Sequence, residues 1–174
     1  PIFAEIFEDI QFAVGSKGGT HHAFHAIMAD LERIAFHGVS THGNAHQDLA
    51  LAMFDVRNAF GTMVRKSMFE ALYARPRLSP IYCFVFFVYG HDAHGKRALW
   101  PQVIFARPDG SFFRLDSHNG VRQGCGLGSA VYSLEQHPKI LHSMEGLEIT
   151  VRAATDDITA AGPLPHLLTF AGRM

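Results

Sequence analysis

The chain has 174 residues, with 15 basic and 16 acidic side chains and a formal net charge of -1. At 48% apolar and 18% charged residues it can bury a real core as one globular domain, which excludes a disordered chain. The near-neutral balance also argues against a strongly basic protein that grips nucleic-acid phosphates with its whole surface.

In chain order, residues 11–19 (QFAVGSKGG) read as a loop with three glycines. Thr20 is placed to cap a helix running to about His37, with Phe24, Ile27, Met28, Leu31, Ile34 and Ala35 on one face. Gly38 ends it, and residues 38–47 (GVSTHGNAHQ) read as a polar loop. Residues 48–56 (DLALAMFDV) form a compact apolar run, the pattern of a buried strand ending at Asp55. A helix is expected over about Met63–Ala74, stopped before Pro76. The run Ile81–Tyr89 (IYCFVFFVY) suits either a strand or a short helix, and it is too short to span a bilayer as a helix.

Residues 101–116 read as a hairpin turning at Asp109-Gly110, a strong short-range hairpin signal. The glycine-rich loop 120–128 (GVRQGCGLG) leads into a helix over about Gly128–His142. Residues 147–161 (LEITVRAATDDITAA) read as two strands with Asp156-Asp157 at the turn, and Pro163 and Pro165 open a further element. No internal repeat or low-complexity tract is present. The two cysteines, Cys83 and Cys125, form no CxxC pair and read as free thiols of a reducing compartment; no signal-peptide pattern is visible at Pro1.

Three features in order carry the chemistry: Asp55 leaving an apolar strand, the loop GVRQGCGLG entering a helix, and Asp156-Asp157 at a hairpin turn. Magnesium takes hard oxygen ligands and keeps several waters, so one or two carboxylates per ion suffice. Two such ions about 3.5–4 Å apart clamp the attacking and leaving oxygens of an in-line phosphoryl displacement. Singly, each feature has a plainer account as a strand end, a tight turn or a turn-forming Asx pair. The ordered set is far more specific than its members.

These same residues carry a family resemblance, spanning roughly Gln11 to Gly162. QFAVGSKGGTHHAFHAI, LAMFDVRNAFGTMVRKSMFEAL, GVRQGCGLGSAVYSL and ATDDITAAG stand in the order of the motifs of retrotransposon-type reverse transcriptases, and the chain resembles that family. The resemblance implies an α+β fold, a polymerase palm-like antiparallel sheet packed on helices, with partial fingers. Residues 1–47 would be the fingers-side helix and loop, 48–162 the palm with its metal motifs, and 163–174 the start of a truncated element. It implies RNA-directed DNA synthesis with two Mg2+ ions (or Mn2+) held by Asp55, Asp156 and Asp157. Val56 would offer backbone contact to the triphosphate, Arg57 would meet a phosphate, and Phe60 would abut the sugar at its 2′ position. Gln123 and Gly124 would pack under the template base and the nucleotide. The implied partners are an RNA template, a DNA primer and deoxynucleoside triphosphates, with no membrane. The implied location is intracellular, in the nucleus or cytoplasm of a eukaryotic host.

The chain departs from the family pattern in places. Cys125-Gly126 stand where Asp-Pro is usual, Ser129 where Pro is common, His21 or His22 where Glu is common, and Thr155 where an aromatic or aliphatic residue is commoner. The basic fingers motifs, the primer grip and the thumb fall outside the sequence, so an incomplete or diverged copy, inactive alone, is expected. The alternatives are a non-catalytic polymerase-fold domain that binds nucleic acid or protein, and an RNA-directed RNA polymerase, which the bulky Phe60 disfavours. Twelve histidines raise a zinc reading at His21/His25 and His42/His46, but no HExxH pattern supports it. Lys17, Arg57, Arg65, Lys66, Arg75, Arg77 and Arg122 are candidate phosphate partners or solvated charges, and Phe112 and Phe113 are candidate stacking or core residues.

Overall fold

The computed structural model describes residues 2–7, 10–37, 48–90 and 102–174. It is a mixture of helices and antiparallel sheet. The elements are α1 (Ile2–Phe7), α2 (Gly19–His37), β1 (Leu49–Asp55), α3 (Ala59–Thr62), α4 (Arg65–Tyr73), a 3-10 turn (Pro76–Leu78), α5 (Ser79–Tyr89), β2 (Gln102–Ala106), β3 (Phe112–Asp116), α6 (Gly128–Met144), β4 (Thr150–Ala154), β5 (Asp157–Pro163) and α7 (Leu164–Arg173). They gather into two compact units, residues 1–57 with 136–174 and residues 58–135. The units therefore follow lines of the chain other than the divisions at 47 and 162, and α6 gives residues to both.

The first unit is built on a three-stranded antiparallel sheet in the order β1-β5-β4. Because side chains alternate across a strand, the register fixes two faces. One face carries Val151 and Ala153 of β4, Ile158 and Ala160 of β5, and Ala50, Ala52 and Phe54 of β1; Ile140, Leu167 and Phe170 pack with them as the core. Phe54 meets Phe170 edge-on at 5.6 Å. The helix α7 follows β5 directly, with Pro165 in its first turn, where a missing N–H costs nothing.

The other face carries Thr150 and Arg152 on β4, Asp157, Thr159 and Ala161 on β5, and Leu51, Met53 and Asp55 on β1. Helix α2 packs on β4 and β1, and its Asp30 accepts from Thr150 Oγ1 at 3.3 Å and lies 3.9 Å from Arg152 Nε. Its inward residues are Ala23, Ile27, Asp30 and Ile34, one turn-spaced stripe. Phe24, Met28 and Leu31, expected on that face, are exposed. The inward stripe instead includes Asp30, which meets Thr150 and Arg152 of β4.

Two further expectations are corrected, and one helix is refined. β1 is a half-buried edge strand; the buried one is β5, which hydrogen-bonds on both sides. The helix expected over Met63–Ala74 forms as α4 (Arg65–Tyr73); the short α3 precedes it, and the Met63 carbonyl between the two accepts from Gly120 N–H at 2.8 Å. The turn between β4 and β5 is Thr155-Asp156, and Asp157 is already paired in β5.

In the second unit, Ser79–Tyr89 resolves as a helix with Pro80 in its first turn and Val85 and Tyr89 buried four residues apart. Tyr82 Oη donates to the Arg75 carbonyl at 2.6 Å. The hairpin β2-β3 forms as expected, with Gly110 at φ +80° and Arg107 N–H bonded to the Ser111 carbonyl at 2.8 Å. Residues 38–47, the expected polar loop, lie outside the described residues, as do His42 and His46.

Phe170 is fully buried where α7 meets the sheet, so Phe170→Ala is expected to cost about 3–5 kcal/mol through lost burial and the cavity left behind. Urea unfolding of the two proteins measures it; a loss below about 1 kcal/mol would show that the site collapses freely and that α7 is not held here.

Candidate functional site

The antiparallel register sets Asp55 directly opposite Asp157, at the matching ends of β1 and β5. Side chains directly opposite share a face, with Cβ atoms about 4.5–5.5 Å apart. Both residues are exposed, and so is their neighbour Met53, at 79%. Like charges in this relation are unfavourable, and no basic side chain bonds to either carboxylate among the interactions of the described residues. Asp156, in the adjoining turn, is half-buried.

That turn has an unusual residue. Thr155 has φ +62°, a left-handed conformation that is a genuine outlier for a β-branched side chain and costs on the order of 1–3 kcal/mol. It is held by a side chain distant in sequence. Gln11, 2% exposed, accepts from Thr155 N–H through Oε1 at 2.8 Å and donates from Nε2 to the Thr155 carbonyl at 3.3 Å. Oε1 also accepts from Ala13 N–H at 3.1 Å. Two N–H groups converging on one oxygen fix the orientation of the amide, since the flipped form would set donor against donor. The backbone supports the placement: Gln11 pairs in parallel with Ala153, through Phe12 N–H to the Ala153 carbonyl (2.8 Å) and Ala153 N–H to the Ile10 carbonyl (2.7 Å). Sequence reasoning gave Gln11 no role. A buried long amide is invisible without its partner; the signals available were Thr155 as a departure from the family pattern and a glutamine opening a glycine-rich motif.

Val56 is half-buried against the core of the first unit, and Arg57 is exposed. Phe60, Gln123 and Gly124 belong to the second unit. There Phe60 stacks on Tyr132 with ring centroids 5.1 Å apart. The Val121 N–H donates to the Phe60 carbonyl at 2.7 Å, and Gly120 lies so close that a Cβ on it would meet the Phe60 carbonyl oxygen at 2.5 Å. Gly120 also has φ +76°, so glycine is required on both counts. The loop that carries exposed Gln123 and Gly124 is thus pinned to the short helix that carries Phe60.

Arg65 provides the other anchor. It is 4% exposed and donates from Nε to the Gly120 carbonyl (2.8 Å), from Nη2 to Ser117 Oγ (2.9 Å) and the Asn119 carbonyl (3.1 Å), and from Nη1 to the Ser117 carbonyl. Its guanidinium is spent on the loop, so Arg65 is removed from the candidate phosphate partners. Lys66 lies 3.8 Å from Glu70 on an exposed helix face. Phe112 is 70% exposed and Phe113 stacks on Phe105 at 5.1 Å, so Phe112 is not a core residue.

In the same loop, burial pushes the Cys125 thiol up, but the Tyr89 hydroxyl, the Leu127 and Gly128 N–H groups and the Arg122 charge together outweigh it and leave the pKa below the ordinary value. Burial and the bond to Cys125 push Tyr89 up to about 12. His21 and His25 stand with Nε2 atoms 2.9 Å apart. Among the described residues no three His, Cys, Asp or Glu side chains, the three aspartates included, are grouped closely enough to hold a metal ion by themselves. No helix among the described residues is long and apolar enough to cross a membrane.

No family model matches the chain, and no solved structure matches it. Among curated proteins it is similar to the retrotransposable element SLACS 132 kDa protein of Trypanosoma brucei gambiense, with 28% identity over 162 residues. The match covers 92% of this chain and 12% of that protein.

Two measurements follow from this geometry. In the presence of EDTA, Asp157→Asn removes one of two facing charges, so its urea midpoint is expected to rise above that of the unaltered chain at low salt. The gain should shrink as the Debye length falls to about 10 Å at 0.1 M salt; a midpoint that falls instead would show that the carboxylate is stabilised by a partner. Separately, alkylation of Cys125 by iodoacetamide, read by peptide mass spectrometry, should have its pH midpoint below the ordinary value of about 8.5. Removing the Tyr89 hydroxyl takes away a donor to the thiolate, so Tyr89→Phe should move the midpoint upward; an unmoved midpoint would leave the backbone N–H groups as the cause.

Proposed function

We propose that this chain is the palm, with part of the fingers, of a reverse-transcriptase-type polymerase encoded by a retrotransposable element, and that it contributes the carboxylates for template-directed nucleotidyl transfer. The observation that carries the reading is the facing pair Asp55 and Asp157 at an open sheet end, with Asp156 in the adjoining turn. Facing carboxylates with no basic partner among the described residues are a liability that a bound cation relieves. The similarity to a retrotransposable-element protein over nearly the whole chain supports the same reading.

The residues fit magnesium better than a softer ion. They are hard oxygen donors on an exposed edge, and an incomplete protein shell suits an ion that keeps waters and takes its remaining ligands from substrate phosphates. Asp55, Asp156 and Asp157 would hold it. When bound, the metal supplies Lewis-acid stabilisation of the charge on the transferring phosphoryl group. The chain's own part is positional. The register of β1 against β5 fixes the spacing of Asp55 and Asp157, and the turn fixes where Asp156 leaves the hairpin. In the second unit, Phe60 is held by Tyr132 and the loop 120–124, a support that suits a side chain meant to exclude a ribose 2′-hydroxyl. That feature favours DNA over RNA synthesis. RNA template, DNA primer and deoxynucleoside triphosphates are the proposed partners. The retained aspartates favour an enzyme over a non-catalytic domain of the same fold.

Primer extension on an RNA template by the complete element-encoded protein that contains this chain provides the test. Loss of a metal carboxylate removes several kcal/mol of charge stabilisation, so Asp55→Asn or Asp157→Asn should reduce deoxynucleotide incorporation on the order of a thousandfold. Activity within tenfold of the unaltered protein would overturn the reading. Residues 1–174, which match only 12% of the related retroelement protein, should give no extension alone, because positioning contributes about 7–11 kcal/mol.

A further inference from the structure

We propose that Gln11 is a positioning residue for the carboxylate edge: its amide holds Thr155 in the left-handed conformation from which Asp156 and Asp157 are presented. This inference rests on the metal reading above and assigns a role to a side chain outside the three aspartates and outside their strands.

The geometry is specific. A turn of two residues, Thr155 and Asp156, joins Ala154 to its partner Asp157. The hand of the first turn residue sets the direction of the second and the register of the strand that follows. Glycine is the usual occupant of a left-handed first position. Here it is a threonine at φ +62°, so the conformation must be imposed from outside. Gln11 is the group that does so, because it satisfies both the N–H and the carbonyl of Thr155. A single side-chain amide here acts as a strand neighbour would, capping the end of β4 at the point where the backbone leaves the sheet. Its own position is fixed from below by the parallel pairing of Gln11 with Ala153 and by the Ala13 N–H. The chain from Gln11 to Thr155 to the two aspartates is unbroken and lies wholly within the first unit. Burial of Gln11 at 2% exposure keeps water from competing for the amide, so each bond is retained.

A role in packing alone predicts something different. If Gln11 merely filled space beside β4, a side chain of similar volume would serve, and the identity of residue 155 would be irrelevant. If Gln11 imposes the turn, removing its amide lets Thr155 relax, and glycine at position 155 makes Gln11 dispensable. Rescue by a change at the second site therefore separates the two.

The experiment uses the full 174-residue chain, with Mn2+ as the probe and electron paramagnetic resonance reporting free ion. The same samples give 13C shifts and amide exchange at Thr155. Asp55→Asn identifies the binding that belongs to the carboxylate edge. Gln11→Met is expected to speed Thr155 amide exchange at least tenfold and to move its 13Cα and 13Cβ shifts off left-handed values. Ala160, in the middle of β5, should stay protected. Mn2+ affinity should fall at least fivefold, and Gln11→Met combined with Thr155→Gly should recover most of it. Unchanged Thr155 shifts and Mn2+ affinity in folded Gln11→Met overturn the proposal, as does a double variant that recovers nothing. Wild-type chain without Asp55-dependent Mn2+ binding overturns the metal reading, and the positioning role with it; intact binding with an indifferent Gln11 overturns the positioning role alone. Should Gln11→Met fail to fold, Gln11→Glu, studied above the pH at which its carboxyl ionises, keeps the volume and the acceptor but sets a second acceptor, with its charge, against the Thr155 carbonyl. A shift of that carbonyl's 13C resonance is then the expected result, and an unmoved resonance overturns the proposal.

Discussion

The register between β1 and β5 is the constraint on which the first unit depends. A slip of one residue would carry Ala50, Ala52 and Phe54 out of the core and put Leu51 and Met53 in their place. The hydrophobic pattern therefore locks the register, and the locked register puts Asp55 across from Asp157. The core and the candidate site are two consequences of one alignment. The paired faces do different work: one is closed by α6 and α7 through Ile140, Leu167 and Phe170, while on the other α2 is tied to β4 through Asp30 and Met53 stays open at the carboxylate end.

Much of this was legible in the sequence, and the failures have physical causes. The Asp109-Gly110 hairpin was readable because a turn signal and alternating strands agree locally. The strand ending at Asp55 was readable from its apolar run, but its edge position was not, since edge or centre depends on which strands arrive later in the chain. The run Ile81–Tyr89 stayed ambiguous because its phenylalanines and valines favour strands, while Pro80 and the preceding turn place it in a helix. The helix expected from about Met63 forms as α4, but the short α3 before it was not readable, because the Met63 carbonyl that follows it finds its partner 57 residues on, at Gly120, and no local propensity records that. Asp30 illustrates the same point: a helix-face reading ranks it as solvent-facing, yet Thr150 and Arg152 make its burial tolerable. The sequence placed Asp55 at a strand end, as found, but set Asp157 in the turn rather than in β5, and Gln11 stayed hidden because a buried amide means nothing without the backbone it meets.

In the second unit the same logic acts on a loop. Residues 117–121 have no ladder of their own, and their carbonyls are met by Arg65 at three residues while Gly120 and Val121 donate into α3 and the residue after it. One buried guanidinium replaces the strand neighbours that the loop lacks. Burying that charge is costly, and only its full set of acceptors makes it tolerable. The resulting rigidity passes to Gln123 and Gly124 at the exposed end of the loop and to Phe60 beneath it.

Several locally unfavourable features meet at one turn of the first unit. Within the first unit, two like charges face each other, a β-branched residue sits in the left-handed region, and a glutamine is buried to hold it there. Each has an inexpensive alternative: asparagine for one aspartate, glycine for Thr155, an apolar side chain for Gln11. Elsewhere in the sheet β4 alternates in burial, β5 is buried from Ile158 to Pro163, and Phe54 closes an aromatic contact with Phe170. Sequences drift away from destabilising choices unless selection retains them, and exceptions to local consistency are expected at functional sites. Three exceptions that converge on one turn share one explanation more economically than three. On the proposed reading, a cation would require the facing charges, the charges a fixed turn, and the turn, lacking glycine, the amide of Gln11.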